Sequence, residues 1–196
     1  MRIIIKPLGM VCIAIVFGGA FAAVALRKPG GVSSPSALGG SVSATKNPAS
    51  GTNLVSAAKW KFYTEKGAVG NMAMIVESVG GVAHTGVKVL TDRPTAQAWN
   101  IGASNPLGIA FNNGEKLQLR FWGRSSSNSQ ITIILQRNVP GFPDCFKRAV
   151  RLTPEWKEYR YDITASTMAK WESMIALHAG FRAGEVEIVG AELTRV

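Results

Sequence analysis

Cysteine is almost missing from this chain of 196 residues, which has only Cys12 and Cys145. Cys12 lies in an apolar N-terminal run and Cys145 in a predicted loop. No disulfide framework is therefore available, and any globular part must be held by packing. Histidine is equally scarce, with only His84 and His178. No spacing ties either to Cys145, whose thiol reads as free or as an intermolecular link rather than as a nucleophile. Gly-x-Ser-x-Gly, His-Glu-x-x-His, the P-loop and Cys-x-x-Cys are all absent, and Gly180-Phe-Arg-Ala-Gly184 reads as a turn, not a phosphate loop. Carboxylates are outnumbered, 12 acidic against 22 basic residues. Glu185 and Glu187 would stand ~7 Å apart on one strand, a separation that suits a glycosidase pair. They are expected on an edge strand without a pocket, where they read as a solvated face. No catalytic constellation is left.

Helical periodicity is also lacking beyond residue 52. What is present is a series of short alternating strands, expected near 60–64, 72–79, 84–91, 95–101, 115–123, 129–137, 147–153, 156–163, 173–179 and 185–194. Turn signals such as Gly80-Gly81, Asp92-Arg-Pro94, Asn112-Asn-Gly114 and Pro140-Gly-Phe-Pro143 separate them. Leu117, Leu119 and Phe121 alternate with Gln118, Arg120 and Trp122, so one set packs inward. Ile131, Ile133 and Leu135 repeat the pattern, as do Ile175 and Leu177, which turns Ala176 and His178 outward. Near the end, Val186, Ile188 and Gly190 alternate with Glu185, Glu187 and Val189. About 140–145 residues in such strands suit one all-β domain with a single core, a two-sheet sandwich rather than a parallel sheet.

Two segments precede this domain. Leu8 to Leu26 is an uncharged run of 19 residues behind Arg2 and Lys6, long enough as a helix to cross a bilayer core of ~30 Å. Ala20-Phe-Ala22 and Ala23-Val-Ala25 fit signal-peptide cleavage, whereas Arg27-Lys28 favour an uncleaved anchor. Residues 1–28 thus read as a signal peptide or membrane anchor, and both readings place the remainder outside the cytoplasm. Residues 29–52, rich in Gly, Ser, Pro and Ala, cannot bury enough apolar area to order themselves. They form a flexible linker with an expected span of ~25–30 Å. Beyond residue 28 the chain has 18 basic and 12 acidic residues, a balance of +6. That balance favours anionic partners such as acidic polysaccharide or lipid headgroups, or simply confers solubility. Nucleic acid does not suit an exported chain.

Four pieces in order carry a family resemblance over residues 53–196. They are Asn53-Leu-Val55, Gly114 through Arg124, Leu152-Thr-Pro-Glu-Trp-Lys-Glu-Tyr159, and Gly180 through Leu193. Together they resemble the jelly-roll carbohydrate-binding modules of the family 4/9 type, a galactose-binding-like fold often attached to glycoside hydrolases. The resemblance implies a two-sheet jelly roll that binds glycans across one sheet face or at its loop tips and catalyses nothing. Many relatives hold a structural calcium through acidic groups. Here Val189-Gly190 and Ser56-Ala-Ala58 stand at those places, so no cofactor is expected, with backbone carbonyls the remaining source of a calcium site.

Sugar recognition uses aromatic faces together with hydrogen bonds from amide, guanidinium or imidazole groups. The candidates are Gln97, Trp99, Arg120, Trp122, Arg124, Gln136, Arg137 and His178. Trp99, Gln136 and His178 form the best subset because the alternation puts them on one face. Arg120 and Arg124 read equally as cross-strand ion pairs. Trp60 and Trp156 read as structural, and Trp171 and Phe142 as loop aromatics. The function expected is non-catalytic, extracytoplasmic polysaccharide binding. The alternatives are a structural protein–protein module of an envelope assembly and an accessory subunit of a glycoside hydrolase. An open groove beside Trp99 would favour the first, and a filled groove with a flat apolar patch the second.

Overall fold

The computed structural model describes residues 51–196, with the exception of Asn128. The apolar segment 1–28, expected to be helical, and most of the 29–52 linker lie outside the described residues. No helix among the described residues is long and apolar enough to cross a membrane.

Ten strands run in chain order: β1 Lys61–Thr64, β2 Val69–Val79, β3 Val82–Arg93, β4 Ile101–Pro106, β5 Lys116–Arg124, β6 Gln130–Arg137, β7 Asp144–Arg151, β8 Lys157–Thr164, β9 Ser173–His178 and β10 Gly184–Arg195. They build two five-stranded sheets of order β1-β4-β9-β6-β7 and β2-β3-β10-β5-β8. Every pairing is antiparallel. This is the all-β, two-sheet jelly-roll sandwich expected.

The core lies between the inner faces. Leu117, Leu119 and Phe121 of β5 meet Ile131, Ile133 and Leu135 of β6 and Ile175 and Leu177 of β9, all fully buried. Phe121 stacks on Tyr159 with ring centroids 5.2 Å apart. Each buried side chain of this size stabilises the fold by roughly 1.5–3 kcal/mol through removal of apolar surface from water. In a domain without a disulfide, these layers hold the two sheets together.

The structure departs from the expected elements in four places. The strand expected at 95–101 is a 3-10 turn, Ala98–Asn100, and β4 begins only at Ile101. Thr95 is the cause: its hydroxyl accepts from Asn100 Nδ2 at 2.6 Å, and Asn100 N–H donates to the Gln97 carbonyl at 3.0 Å. Second, the alternation along β10 breaks after Val189, which is fully buried together with Ile188. The register with β5 shifts between Val189 and Glu192, and Gly190 takes a φ of +59°, a left-handed bulge that suits glycine. Third, Asn53–Val55, which the family resemblance reads as an opening strand, joins neither sheet. The Asn53 side chain instead accepts from Val55 N–H and Leu193 N–H and donates to the Ala191 carbonyl, clasping the chain onto the bulge. Fourth, β10 sits between β3 and β5, so Glu185 and Glu187 are on a central strand, not an edge. Both are bound by Lys88, and Glu187 also by Arg124 at 2.5 Å.

Candidate functional site

The outer face of the β1-β4-β9-β6-β7 sheet should be polar and solvated if the strands were simply half-buried. It is recessed instead, and mixes apolar with polar side chains. The register aligns Ser104, Ala176, Ile134 and Lys147 in one row across β4, β9, β6 and β7. Gly102, His178 and Thr132 form the row on one side, and Pro106, Met174 and Gln136 the row on the other. Small side chains at Gly102, Ser104 and Ala176 leave the floor low. The result is an open groove of about 560 Å³, within the range of small-ligand sites. Five strands spaced ~4.8 Å apart give the sheet a width of ~19 Å.

One wall carries Tyr63, Glu65 and Trp99. The 3-10 turn buries Ala98 and pushes Trp99 outward, where 46% of the residue stays exposed. Gly180 N–H donates to the Ala98 carbonyl at 3.0 Å and fixes the turn against the β9–β10 connection. Tyr63 lies over Gly102: a Cβ there would come within 2.5 Å of the tyrosine hydroxyl. Burial, with the Glu65 carboxylate adding, pushes the Tyr63 phenol well above its usual range.

The other wall is the β6–β7 hairpin, with Asn138, Phe142, Asp144 and Lys147. Phe142 N–H donates to the Val139 carbonyl at 2.9 Å, and Phe142 adopts a φ of +42°, an uncommon conformation for a bulky residue. That turn holds an exposed ring at the rim. Its base is tied down by Arg137, whose guanidinium donates to both carboxylate oxygens of Glu172 at 2.8 and 3.1 Å.

Gln136 and His178 stand on the floor with hydrogen-bonding capacity unspent. Gln136 is 7% exposed, and among the described residues neither its amide nor the His178 ring has a hydrogen-bond partner. Buried polar groups normally find one. Burial, with the Lys147 ammonium adding, pushes the His178 imidazole down to about 4, so the ring is neutral at ordinary pH and offers one donor and one acceptor.

The structure thus brings Trp99, Gln136 and His178 into one groove and leaves the other candidates elsewhere. Gln97 is exposed beside the turn, outside the groove lining. Arg137 braces the hairpin. Arg120, Trp122 and Arg124 lie on the outer face of the opposite sheet, because β5 belongs to it. There Arg120 is bound by Glu158 and Glu192 at 3.3 and 2.7 Å. Arg124 is bound by Glu187 and lies 4.5 Å from the centre of the Trp156 ring. Burial pushes the Glu187 carboxyl up, but Lys88 and Arg124 outweigh it and hold that group below the usual range. These guanidinium groups are committed to a cross-strand lattice, and Trp122 is half-buried within it.

Tyr63, Ser104, Asn138, Phe142 and Lys147 were not among the sequence candidates. Phe142 carried a usable signal, an aromatic between Gly141 and Pro143 in a hairpin turn. Tyr63 carried none, since its place depends on the pairing of β1 with β4. As for a metal, no group of three or more His, Cys, Asp or Glu side chains is arranged to hold one among the described residues. At the positions where the resemblance places acidic groups, Gly190 packs against the His84 ring, and Ala57 and Ala58 form a short 3-10 turn.

Comparison with solved structures defines the class of fold. A family 4 carbohydrate-binding module matches at a TM-score of 0.57 with 15% identity, over 70% of this chain and 86% of that one. The N-terminal cellulose-binding domain of Cellulomonas fimi β-1,4-glucanase C matches at 0.51 with 18% identity, over 70% and 88%. The xylohexaose complex of the CBM22-1 and GH10 modules of Clostridium thermocellum xylanase 10B matches at 0.50 with 11% identity, over 72% of this chain and 27% of that one. No protein-family model and no curated protein matches the sequence. Residues 51–196 therefore have the jelly-roll fold of carbohydrate-binding modules.

Proposed function

We propose that this domain is a non-catalytic polysaccharide-binding module whose ligand lies in the groove across β1-β4-β9-β6-β7. The observation that carries the reading is the open groove itself. It pairs an exposed Trp99 ring with the unspent amide of Gln136 and the neutral imidazole of His178. An aromatic plane suits the apolar C–H face of a sugar ring, and the two polar groups suit its hydroxyls. Neighbours with this fold include a cellulose-binding domain and a xylanase solved with xylohexaose, which supports a polysaccharide as the ligand.

Carboxylate placement supports a binding role rather than hydrolysis. Glu65 follows β1 and Asp144 opens β7, so the two groove carboxylates sit at opposite edges of a sheet ~19 Å wide at the backbone. A glycosidase pair needs ~5–9.5 Å. A protein–protein module would favour a filled groove, and this one is open. The module works outside the cytoplasm, tethered through residues 29–52, either anchored by the N-terminal segment or released from it. A glycoside hydrolase partner fits the same role.

Affinity electrophoresis of the protein through gels containing neutral and acidic polysaccharides tests this. Retardation by one class, weakened about thirtyfold by Trp99→Ala, is expected. A folded protein retarded by none would move the reading to the protein–protein module.

A further inference from the structure

The groove face does not end at His178. Along β6 the outward side chains continue from Ile134 through Thr132 to Gln130, and along β7 from Lys147 through Ala149 to Arg151, with Gln130 paired to Arg151. Four residues of strand put Gln130 and Arg151 ~13 Å from the row of Ile134, on the same face. There the β9–β10 connection contributes Phe181 and Arg182. The four side chains line a second cleft of about 300 Å³.

Charge separates this cleft from the groove. The groove holds Glu65 and Asp144 against Lys147 and is close to neutral. The cleft has two guanidinium groups and no carboxylate in its lining. Arg120, Arg124, Arg137 and Arg160 have carboxylate partners, whereas Arg151 and Arg182, like Arg93 and Arg148, have none among the described residues, and of these four only Arg151 and Arg182 line the cleft. Phe181, 44% exposed, adds an aromatic plane beside them. The connection is braced where it enters β10, since the Ser125 hydroxyl donates to the Glu185 carbonyl at 2.6 Å.

We propose that this cleft is an anion subsite, and that the domain's ligand is an acidic polysaccharide. A neutral stretch of the glycan lies in the groove, and a carboxylate, sulfate or phosphate substituent reaches Arg151 and Arg182. The proposal rests on the polysaccharide reading of the groove. Arginine suits the role because its planar fork binds such oxyanions through two parallel hydrogen bonds. The net basic charge of the domain then has a place on the binding face as well as a value.

The test uses the whole chain, with affinities measured at 0.15 M salt for a neutral glucan, a polyuronate, a sulfated glucan and a phosphorylated glucan, where the last three distinguish the anion. The variants are Arg151→Gln with Arg182→Gln, the control Arg148→Gln, and Trp99→Ala. Arg148 lies on the same strand, exposed but of opposite alternation to Arg151. Its loss changes net charge without touching the cleft. The double variant should bind at least one acidic polymer about tenfold or more weakly and the neutral glucan unchanged. Arg148→Gln should bind both as the wild type does, and Trp99→Ala should weaken both. Equal binding of every acidic polymer by wild type and double variant would overturn the anion subsite and leave the groove standing. An equal loss in Arg148→Gln would also overturn it, in favour of diffuse charge. Binding of no polymer by the folded chain would overturn the polysaccharide reading itself.

Discussion

Tyr63 stands edge-on to His178 across the groove floor, ring centroids 6.5 Å apart and planes at 87°, and Gly102 lies between their strand positions in the register. The phenol can lie flat there only because Gly102 has no side chain. A Cβ at that place would meet the Leu177 carbonyl oxygen at 2.2 Å and the Tyr63 ring carbon bearing the hydroxyl at 2.8 Å. Gly102→Ala should therefore destabilise the fold by about 1–3 kcal/mol, measured by urea unfolding, and weaken glycan binding by displacing one wall. Unchanged stability would show that β4 moves freely to make room.

His178 gives the domain an acid sensitivity of its own. Its imidazole titrates at about 4 in the fold and near 6.5 when unfolded. The unfolded chain binds the extra proton between those values, so stability from this group is full above about pH 6.5. It falls as pH drops toward 4, by up to about 3 kcal/mol in all. Carboxylates held below their usual range, Glu158 by Arg160 and Glu172 by Arg137, lose their contribution only at lower pH, below about 4.5. Unfolding curves between pH 4.5 and 7 should flatten in His178→Gln. Parallel curves for wild type and variant would contradict the buried neutral imidazole.

The opposite sheet supplies a control. Arg120→Ala removes half-buried cross-strand pairs at a cost of about 1 kcal/mol, and Arg124→Ala costs more because the buried Glu187 then keeps only Lys88. They should leave retardation in polysaccharide gels as in the wild type. A loss of binding comparable to that of Trp99→Ala would place the ligand on the wrong face for this account.

Most of the sandwich was legible because its strands obey a period of two. The inward set of β5, β6 and β9 could be read from Leu117, Ile131 and Ile175 onward, and the same count turned His178 and Gln136 outward. The count failed where backbone geometry interrupts it. Thr95 captures Asn100 and makes a turn, which moved Trp99 off its expected strand yet left it at the groove. Gly190 inserts a bulge, which reverses the alternation in time for Leu193 to face inward. Sheet membership was not legible at all. The alternation shows that Arg120, Trp122 and Arg124 face outward, but only the long-range pairing of β5 with β8 and β10 shows on which side of the sandwich. The Tyr63 wall escaped for the same reason, since it meets the floor through the pairing of β1 with β4.

The bulge carries a prediction too. Gly190→Ala puts a side chain at a φ of +59° and 2.8 Å from His84 Nδ1, and should destabilise by about 1–3 kcal/mol. Calorimetry that finds no change would show that β10 can resume a regular ladder.

The most direct test of the account maps the ligand onto the protein by a backbone NMR titration with oligosaccharides from whichever polysaccharide retards it. Shift changes are expected to concentrate on Trp99, Ser104, Ile134, Gln136, Ala176 and His178, with Gln118 through Arg124 unaffected. Changes confined to β5, β8 and β10 would contradict the placement of the site in the groove.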